Sequence, residues 1–237
     1  MNLRFIDGVL PEEAGEHLSG LLDRYQDEPV SLFVSGGSAL SVLEYIDPAL
    51  IGPNLSVMMI DERFDESPEI NNFFQLSRSD FFQTATKQGV NIIETKVLPD
   101  ESFASYGERL RELVGDISQR KVLVILGLGS DGHTAGIMPF NDEINKFAEL
   151  FEGSDLVTYY DATGKNPHPF RVTVTNTFLR NQVDAGIVFV SGEDKREALS
   201  SVLRSGEDLS VVPGRIFHYI PELTIFTDIH GLEDLNI

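Results

Sequence analysis

KVLVILGLG, residues 121–129, is an apolar run that closes on Gly127 and Gly129 and marks the centre of the fold. The five consecutive apolar residues from Val122 to Leu126 predict a strand buried on both faces, as central strands of parallel sheets are. Working outward, VSLFVSGG (30–37) is a β-branched and aromatic strand that also stops at glycines, and NLSVMMIDER (54–63) is a strand that ends in charges. RVTVTNTFLR (171–180), AGIVFVSG and LTIFTD carry later strand signals. Between them lie stretches of helical spacing. Residues 12–27 place Ala14, Leu18, Leu21, Leu22 and Tyr25 on one face, and residues 38–46 turn Leu40, Leu43 and Ile46 inward. Helices are also predicted near 71–82, over 102–117 and over 194–204. Strands alternating with helices define an α/β fold with a mostly parallel sheet, and DATGKNPHPF (161–170) reads as a surface loop, so residues 1–237 are predicted to form a single domain.

Composition limits the function classes. The chain has 237 residues, 18 basic against 38 acidic, for a formal charge of −20, which opposes binding to nucleic acid or to an anionic membrane surface. No window approaches the roughly 18–20 apolar residues of a membrane helix. The N-terminal MNLRFIDGVLPEEAGEHL has no basic region followed by an apolar stretch, so a cytoplasmic protein is predicted. Zero cysteines exclude disulfides, thiolate metal sites and a cysteine nucleophile. An anionic ligand could bind only where the few Lys and Arg residues are concentrated.

Ligands of open parallel sheets bind beyond the carboxyl ends of the strands. Polar signals recur at such ends: Ser35-Gly36-Gly37-Ser38, Asp61-Glu62-Arg63, residues 127–133, and residues 191–195. The first is either a phosphate cradle of backbone N–H groups and hydroxyls, or a tight turn in which Ser38 caps a helix. It is neither a P-loop nor a GxGxxG element. Asp61 and Arg63, ending an apolar strand, need a salt-bridge network or a ligand. In GLGSDGHTAG, Asp131 and His133 stand two residues apart, a spacing that suits a carboxylate orienting an imidazole for proton transfer, or a structural turn. The other histidines form no ligand-spaced pair with His133, so no metal site is predicted. Arg171 begins RVTVT. Lys195, at or just before a helix start, opposes the helix dipole unless it serves a ligand or a salt bridge.

VSGGSAL, MIDERF, ILGLGSDGHTAGIMP, RVTVTNTFL and FVSGEDK occur in an order that resembles the 6-phosphogluconolactonase family, within the larger group that includes glucosamine-6-phosphate deaminases and isomerases. DER and the His-Thr-Ala after Asp-Gly are similar to the lactonase branch. The sequence departs from the family pattern in three places: FDESPEINN follows DER without the usual Val-Pro, Asn71 stands for a serine beside Asn72, and Gly136-Ile137-Met138-Pro139 stands for Ser-Leu-Phe-Pro.

The resemblance implies a Rossmann-like three-layer α/β/α fold of the NagB/RpiA/CoA-transferase kind. It implies hydrolysis of 6-phosphogluconolactone to 6-phosphogluconate in the oxidative pentose phosphate pathway, without a cofactor and with a phosphorylated sugar lactone as the ligand. It also implies site roles: His133 as general base, Asp131 orienting it, Arg63 on the sugar hydroxyls or the developing oxyanion, and Asp61 holding that arginine or a hydroxyl. Ser35, Gly36, Gly37, Ser38, Arg171 and Lys195 would hold the phosphate. Asn72 would contact the substrate, and Gly127 and Gly129 would let the backbone approach it and donate an N–H to the oxyanion. The rival expectations are an amino-sugar-phosphate deaminase or isomerase, and a non-catalytic sugar-phosphate sensor; monomer and homodimer both stay open.

Overall fold

The computed structural model describes residues 1–232 apart from 8, 9, 66, 205 and 207. Strand β1 (Asn2–Phe5) and helix α1 (Leu10–Arg24) come first, and Ala14, Leu18, Leu21 and Leu22 form the buried stripe of α1 that their spacing predicts. After β2 (Val30–Val34) comes a 3-10 segment, Gly37–Tyr45, where an α-helix is predicted. Ala39 and Val42 point inward at a three-residue interval, the repeat that stacks on one face of a 3-10 helix, and Leu40 is left half-buried. The single strand predicted over 54–63 is two strands, β3 (Leu55–Met59) and β4 (Asp61–Arg63), which belong to different sheets.

Helices α2 (Asn72–Ser77) and α3 (Asp80–Lys87), the short strand β5 (Asn91–Ile92) and helix α4 (Phe103–Ile117) lead to β6 (Lys121–Gly127). Then follow α5 (Ile144–Phe151), β7 (Val157–Asp161), β8 (Phe170–Val174) and α6 (Asn176–Asn181). Strand β9 (Ala185–Val190), α7 (Arg196–Leu203) and β10 (Glu222–Thr227) complete the order. Strands β1, β5 and β7 and helix α5 are not predicted from the sequence, and the strand predicted over 171–180 stops at Val174, because the Thr175 side chain accepts the Phe178 N–H and starts helix α6. No helix among the described residues is long and apolar enough to cross a membrane.

Seven parallel strands form the central sheet in the order β1-β10-β9-β6-β2-β3-β5. Val122 to Leu126 are fully buried, and they divide between two cores. Val122, Val124 and Leu126 pack with α4, α6 and α7, while Leu123 and Ile125 pack with α1 and the 3-10 segment. Each such side chain contributes about 1.5–3 kcal/mol when fully removed from water. Layers on both faces make this a Rossmann-like three-layer α/β/α fold. From β2 the chain proceeds outward to β3 and β5, and from β6 it proceeds the other way to β9 and β10. The gap between the ends of β2 and β6 is therefore the topological switch point, where such sheets leave a crevice.

A second, antiparallel sheet, β4-β8-β7, hangs from the end of β3. The Ile60 N–H still donates to Val34 in the main sheet, whereas the next residue, Asp61, already pairs with Thr173 of β8. The loop predicted over 161–170 joins β7 to β8, with its two end residues, Asp161 and Phe170, paired as the last rung of the strands. Along β4 the side chains alternate, so Asp61 and Arg63 share one face and Glu62 takes the other. Glu62 is 1% exposed and accepts hydrogen bonds from the Asn72 and Phe73 N–H groups and from the Thr95 hydroxyl.

Burial pushes the Glu62 carboxyl up to about 8, against those hydrogen bonds, and the neighbouring Asp61 charge adds to the rise. An acid with a higher pKa in the folded chain supports folding fully below its unfolded value of 4.5 and loses that support as pH climbs through about 8. The unfolding free energy of the wild type should therefore fall relative to Glu62→Gln across that window, by up to about 1.4 kcal/mol per pH unit, in urea melts at fixed ionic strength. A pH-independent difference between the two proteins would mean that Glu62 ionises in the fold as it does in the unfolded chain.

Candidate active site

Strands β9, β6, β2 and β3 are consecutive neighbours in the sheet, so the polar segments at their carboxyl ends meet over one crevice. A cavity of about 250 Å³ opens there, at the small end of ligand pockets. Ser35, Gly36, Gly37, Ser38, Asp61, Arg63, Asn72, Gly127, Gly129, His133, Arg171 and Lys195 all line it, with Thr134, Ala135 and Gly136 of the same glycine-rich segment, and are joined by Ala39 and Leu128, which the sequence does not mark. Asp131 stands behind His133 and borders an adjoining cavity with Asn141, Glu143 and Lys165.

The glycine-rich loop after β6 is braced rather than loose. The Thr134 hydroxyl donates to the Gly127 carbonyl at 2.7 Å, the Gly129 N–H to the His133 carbonyl at 2.9 Å, and the Gly214 N–H to the Gly132 carbonyl at 2.9 Å. The Gly129 N–H is thus engaged inside the loop and is not the oxyanion donor that the resemblance implies. Gly129 is needed for a different reason: a Cβ there would occupy the place of the His133 ring and would lie 2.8 Å from Asp131 Oδ1.

Asp131 Oδ1 contacts His133 Nδ1 and accepts the His133 backbone N–H at 3.1 Å. Partial burial pushes the Asp131 carboxyl up, but the hydrogen bonds and charge of His133 outweigh it and hold the group below the usual carboxylate range. A carboxylate at Nδ1 selects the imidazole tautomer that donates there, which leaves the Nε2 lone pair free. Among the described residues Nε2 has no hydrogen-bond partner, and His133 faces the cavity.

The cations come from three elements. Arg63 and Arg171 are direct cross-strand partners in β4 and β8, an arrangement of like charges that disfavours the sheet unless an anion lies between or above them. Arg171 is 2% exposed and meets Asp61 at 3.4 Å, so Asp61 holds Arg171 and not Arg63 as expected, while the Nε atoms of both arginines are buried without partners among the described residues. Burying an incompletely paired guanidinium costs several kcal/mol, so these donors are suited to an external acceptor. Lys195 closes a 3-10 turn (Glu193–Lys195) and precedes α7, the dipole-opposed position that its sequence predicts. No ion pair engages it among the described residues. Among those residues no three His, Asp or Glu side chains gather as a metal cage would require.

The segment after Ala135 is pinned from outside the loop. The Tyr160 hydroxyl donates to the Gly136 carbonyl at 2.6 Å and accepts the Met138 N–H at 3.2 Å, and Thr173 donates to the Ala135 carbonyl. Gly136 has φ +70°, and a Cβ there would lie 2.7 Å from the Asp61 Cβ, so the serine of the related pattern does not fit this backbone.

The sequence matches the family described as "Glucosamine-6-phosphate isomerases/6-phosphogluconolactonase" over residues 9–224. Human 6-phosphogluconolactonase is 25% identical over 84% of this chain and 78% of its own length. The 6-phosphogluconolactonase of Mesorhizobium japonicum is 27% identical over 63% of this chain, and that match spans 60% of the bacterial protein. The crystal structure of a 6-phosphogluconolactonase from Shewanella baltica superposes with a TM-score of 0.75 at 20% identity, covering 96% of this chain and 97% of the other.

Proposed function

Since the chain belongs to the glucosamine-6-phosphate isomerase/6-phosphogluconolactonase family, we propose that it hydrolyses 6-phospho-D-glucono-1,5-lactone to 6-phosphogluconate, the lactone-opening step of the oxidative pentose phosphate pathway. The observation that carries this reading is a His133 ring with Asp131 at Nδ1 and Nε2 unpaired, lining the same cavity as Arg63, Arg171 and Lys195.

In this mechanism Nε2 of His133 takes a proton from water as the water oxygen adds to the lactone carbonyl. The negative charge that develops on the carbonyl oxygen is offset by Arg63, with Asp61 orienting the neighbouring guanidinium of Arg171 or a sugar hydroxyl. Collapse of the tetrahedral species breaks the bond to the ring oxygen, which recovers the proton from His133. The phosphate is remote from the reacting carbon and is held by the Ser35 to Ser38 loop, Arg171 and Lys195, so its binding energy positions the ring. The chemistry uses water and side chains alone, in a chain acting as one cytoplasmic domain. A second reading rests on Asp61, a carboxylate in the cavity lining: an amino-sugar-phosphate isomerase needs such a group to shuttle a proton between adjacent carbons. Release of ammonia from glucosamine 6-phosphate would favour that reading.

On freshly generated lactone, after subtraction of spontaneous hydrolysis, His133→Ala should lower kcat by about 100- to 10,000-fold with little change in KM. A retained rate would remove His133 from the base role. Gly129→Ala should mimic that loss while the protein stays folded, because its methyl group takes the space of the imidazole. Lys195→Met and Arg171→Met should act chiefly through KM, raising it about tenfold or more, as loss of a charged hydrogen bond to phosphate would. If KM stays put in both, the phosphate is bound elsewhere.

A further inference from the structure

Asn72 presents an unusual carboxamide. Its Nδ2 donates to the Asp61 carbonyl at 2.9 Å, but its Oδ1 is buried and has no partner among the described residues, although the residue lines the cavity. An unpaired buried acceptor costs about 1–3 kcal/mol. Rotating the amide by half a turn would not relieve it, because Oδ1 would then face the Asp61 carbonyl oxygen. Gly36 lies against that oxygen: a Cβ there would fall 2.4 Å from Asn72 Oδ1 and 2.6 Å from Cγ, so the missing side chain is what leaves Oδ1 uncovered on this side. The orphan oxygen is therefore held ready for a donor from the cavity, and a sugar hydroxyl is such a donor.

The device that holds it lies behind the cavity. Asn71 occupies the N-cap position of α2, yet its side chain makes no capping bond. It donates instead to the Arg63 carbonyl and the Tyr106 hydroxyl. Glu62 supplies the cap from a different element, accepting the Asn72 N–H at 2.7 Å and the Phe73 N–H at 2.8 Å. Thr95 donates to the same carboxyl at 2.5 Å, and the Tyr106 hydroxyl of α4 donates to the Thr95 carbonyl at 2.7 Å. A local Asn or Ser cap would hold the helix end for about 1 kcal/mol without burying an acid. The buried acid adds a tie between α2 and the strand that carries Asp61 and Arg63.

We infer that Glu62 is a positioning residue, which through the Asn72 backbone and Thr95 fixes the Asn72 carboxamide so that Oδ1 receives a hydroxyl of the bound sugar phosphate. The identity of that ligand rests on the function proposed above; the fixing of Asn72 does not.

Two measurements test it. In the ligand-free protein, the side-chain amide resonances of Asn72 should shift or broaden in Glu62→Gln and in Thr95→Val, and unmoved resonances overturn the inference. In lactone hydrolysis, Asn72→Ala and Glu62→Ala should each raise KM about tenfold, and the double variant should stay within about twofold of Asn72→Ala, because both act on one contact. Glu62→Gln keeps one acceptor oxygen and should recover part of the loss. A double variant near the product of the single effects, about a hundredfold, overturns the inference. If Glu62→Ala does not fold, Thr95→Val takes its place in the cycle. A wild type without lactonase activity defeats the proposed function and leaves the resonances to decide on Glu62; an active wild type with an unmoved Asn72 defeats the inference alone.

Discussion

The parallel pairing of β2 with β6 is the constraint on which the rest of the molecule depends. Register pairs from Val30↔Lys121 to Val34↔Ile125 bring two separate strand ends side by side, and the Ser35 N–H extends the ladder to the Ile125 carbonyl. The ladder is stable because both faces of both strands are dry, each strand giving alternate side chains to the two cores. A polar insertion in either strand would disturb both layers at once. Because the chain turns in opposite directions after these two strands, no helix covers the gap above them. The crevice is a result of topology, and the residues at the strand ends decide what it holds.

Electrostatics then make that crevice distinctive within an acidic chain. With a formal charge of −20, most of the surface repels anions. The small antiparallel sheet opposes this locally by setting Arg63 directly across from Arg171, with Lys195 arriving from the far side of the sheet. Two guanidinium groups with buried, unpartnered Nε atoms are an unfavourable arrangement in an empty protein. An anionic ligand would remove that cost, and in the proposed reaction affinity and orientation would arise from groups that the fold leaves unsatisfied.

Much of this was legible in the sequence, and the parts that were not share a physical reason. Val122 to Leu126 announced a central strand because burial on two faces leaves no room for polar residues. The strand-end signals were legible because polar residues directly after such strands need partners. The splitting of residues 54–63 was not, since the choice between continuing β3 and joining β8 is made by a segment more than a hundred positions away. Glu62 was hidden for the same reason: its partners Thr95, Asn72 and Phe73 are set by the turn of the chain after β4. The 3-10 form of Gly37–Tyr45 was masked because Leu40, Leu43 and Ile46 also suit an α-helical stripe. The strand at β7 escaped because its burial pattern does not alternate.

The outer edge of the sheet has a consequence for how the molecule assembles. Strand β1 has β10 as its strand neighbour, pairing Asn2 with Thr224 and Phe5 with Thr227, and α1 packs on β9 and β10 as well as on the 3-10 segment. During synthesis β1 emerges long before the strand that receives it exists, and it waits through almost the whole of translation. Closing so long a loop late is slow but adds little further entropy cost per residue. The central strands β9, β6, β2 and β3 can come together without β1, so the walls of the crevice can stand before the edge of the sheet is sealed.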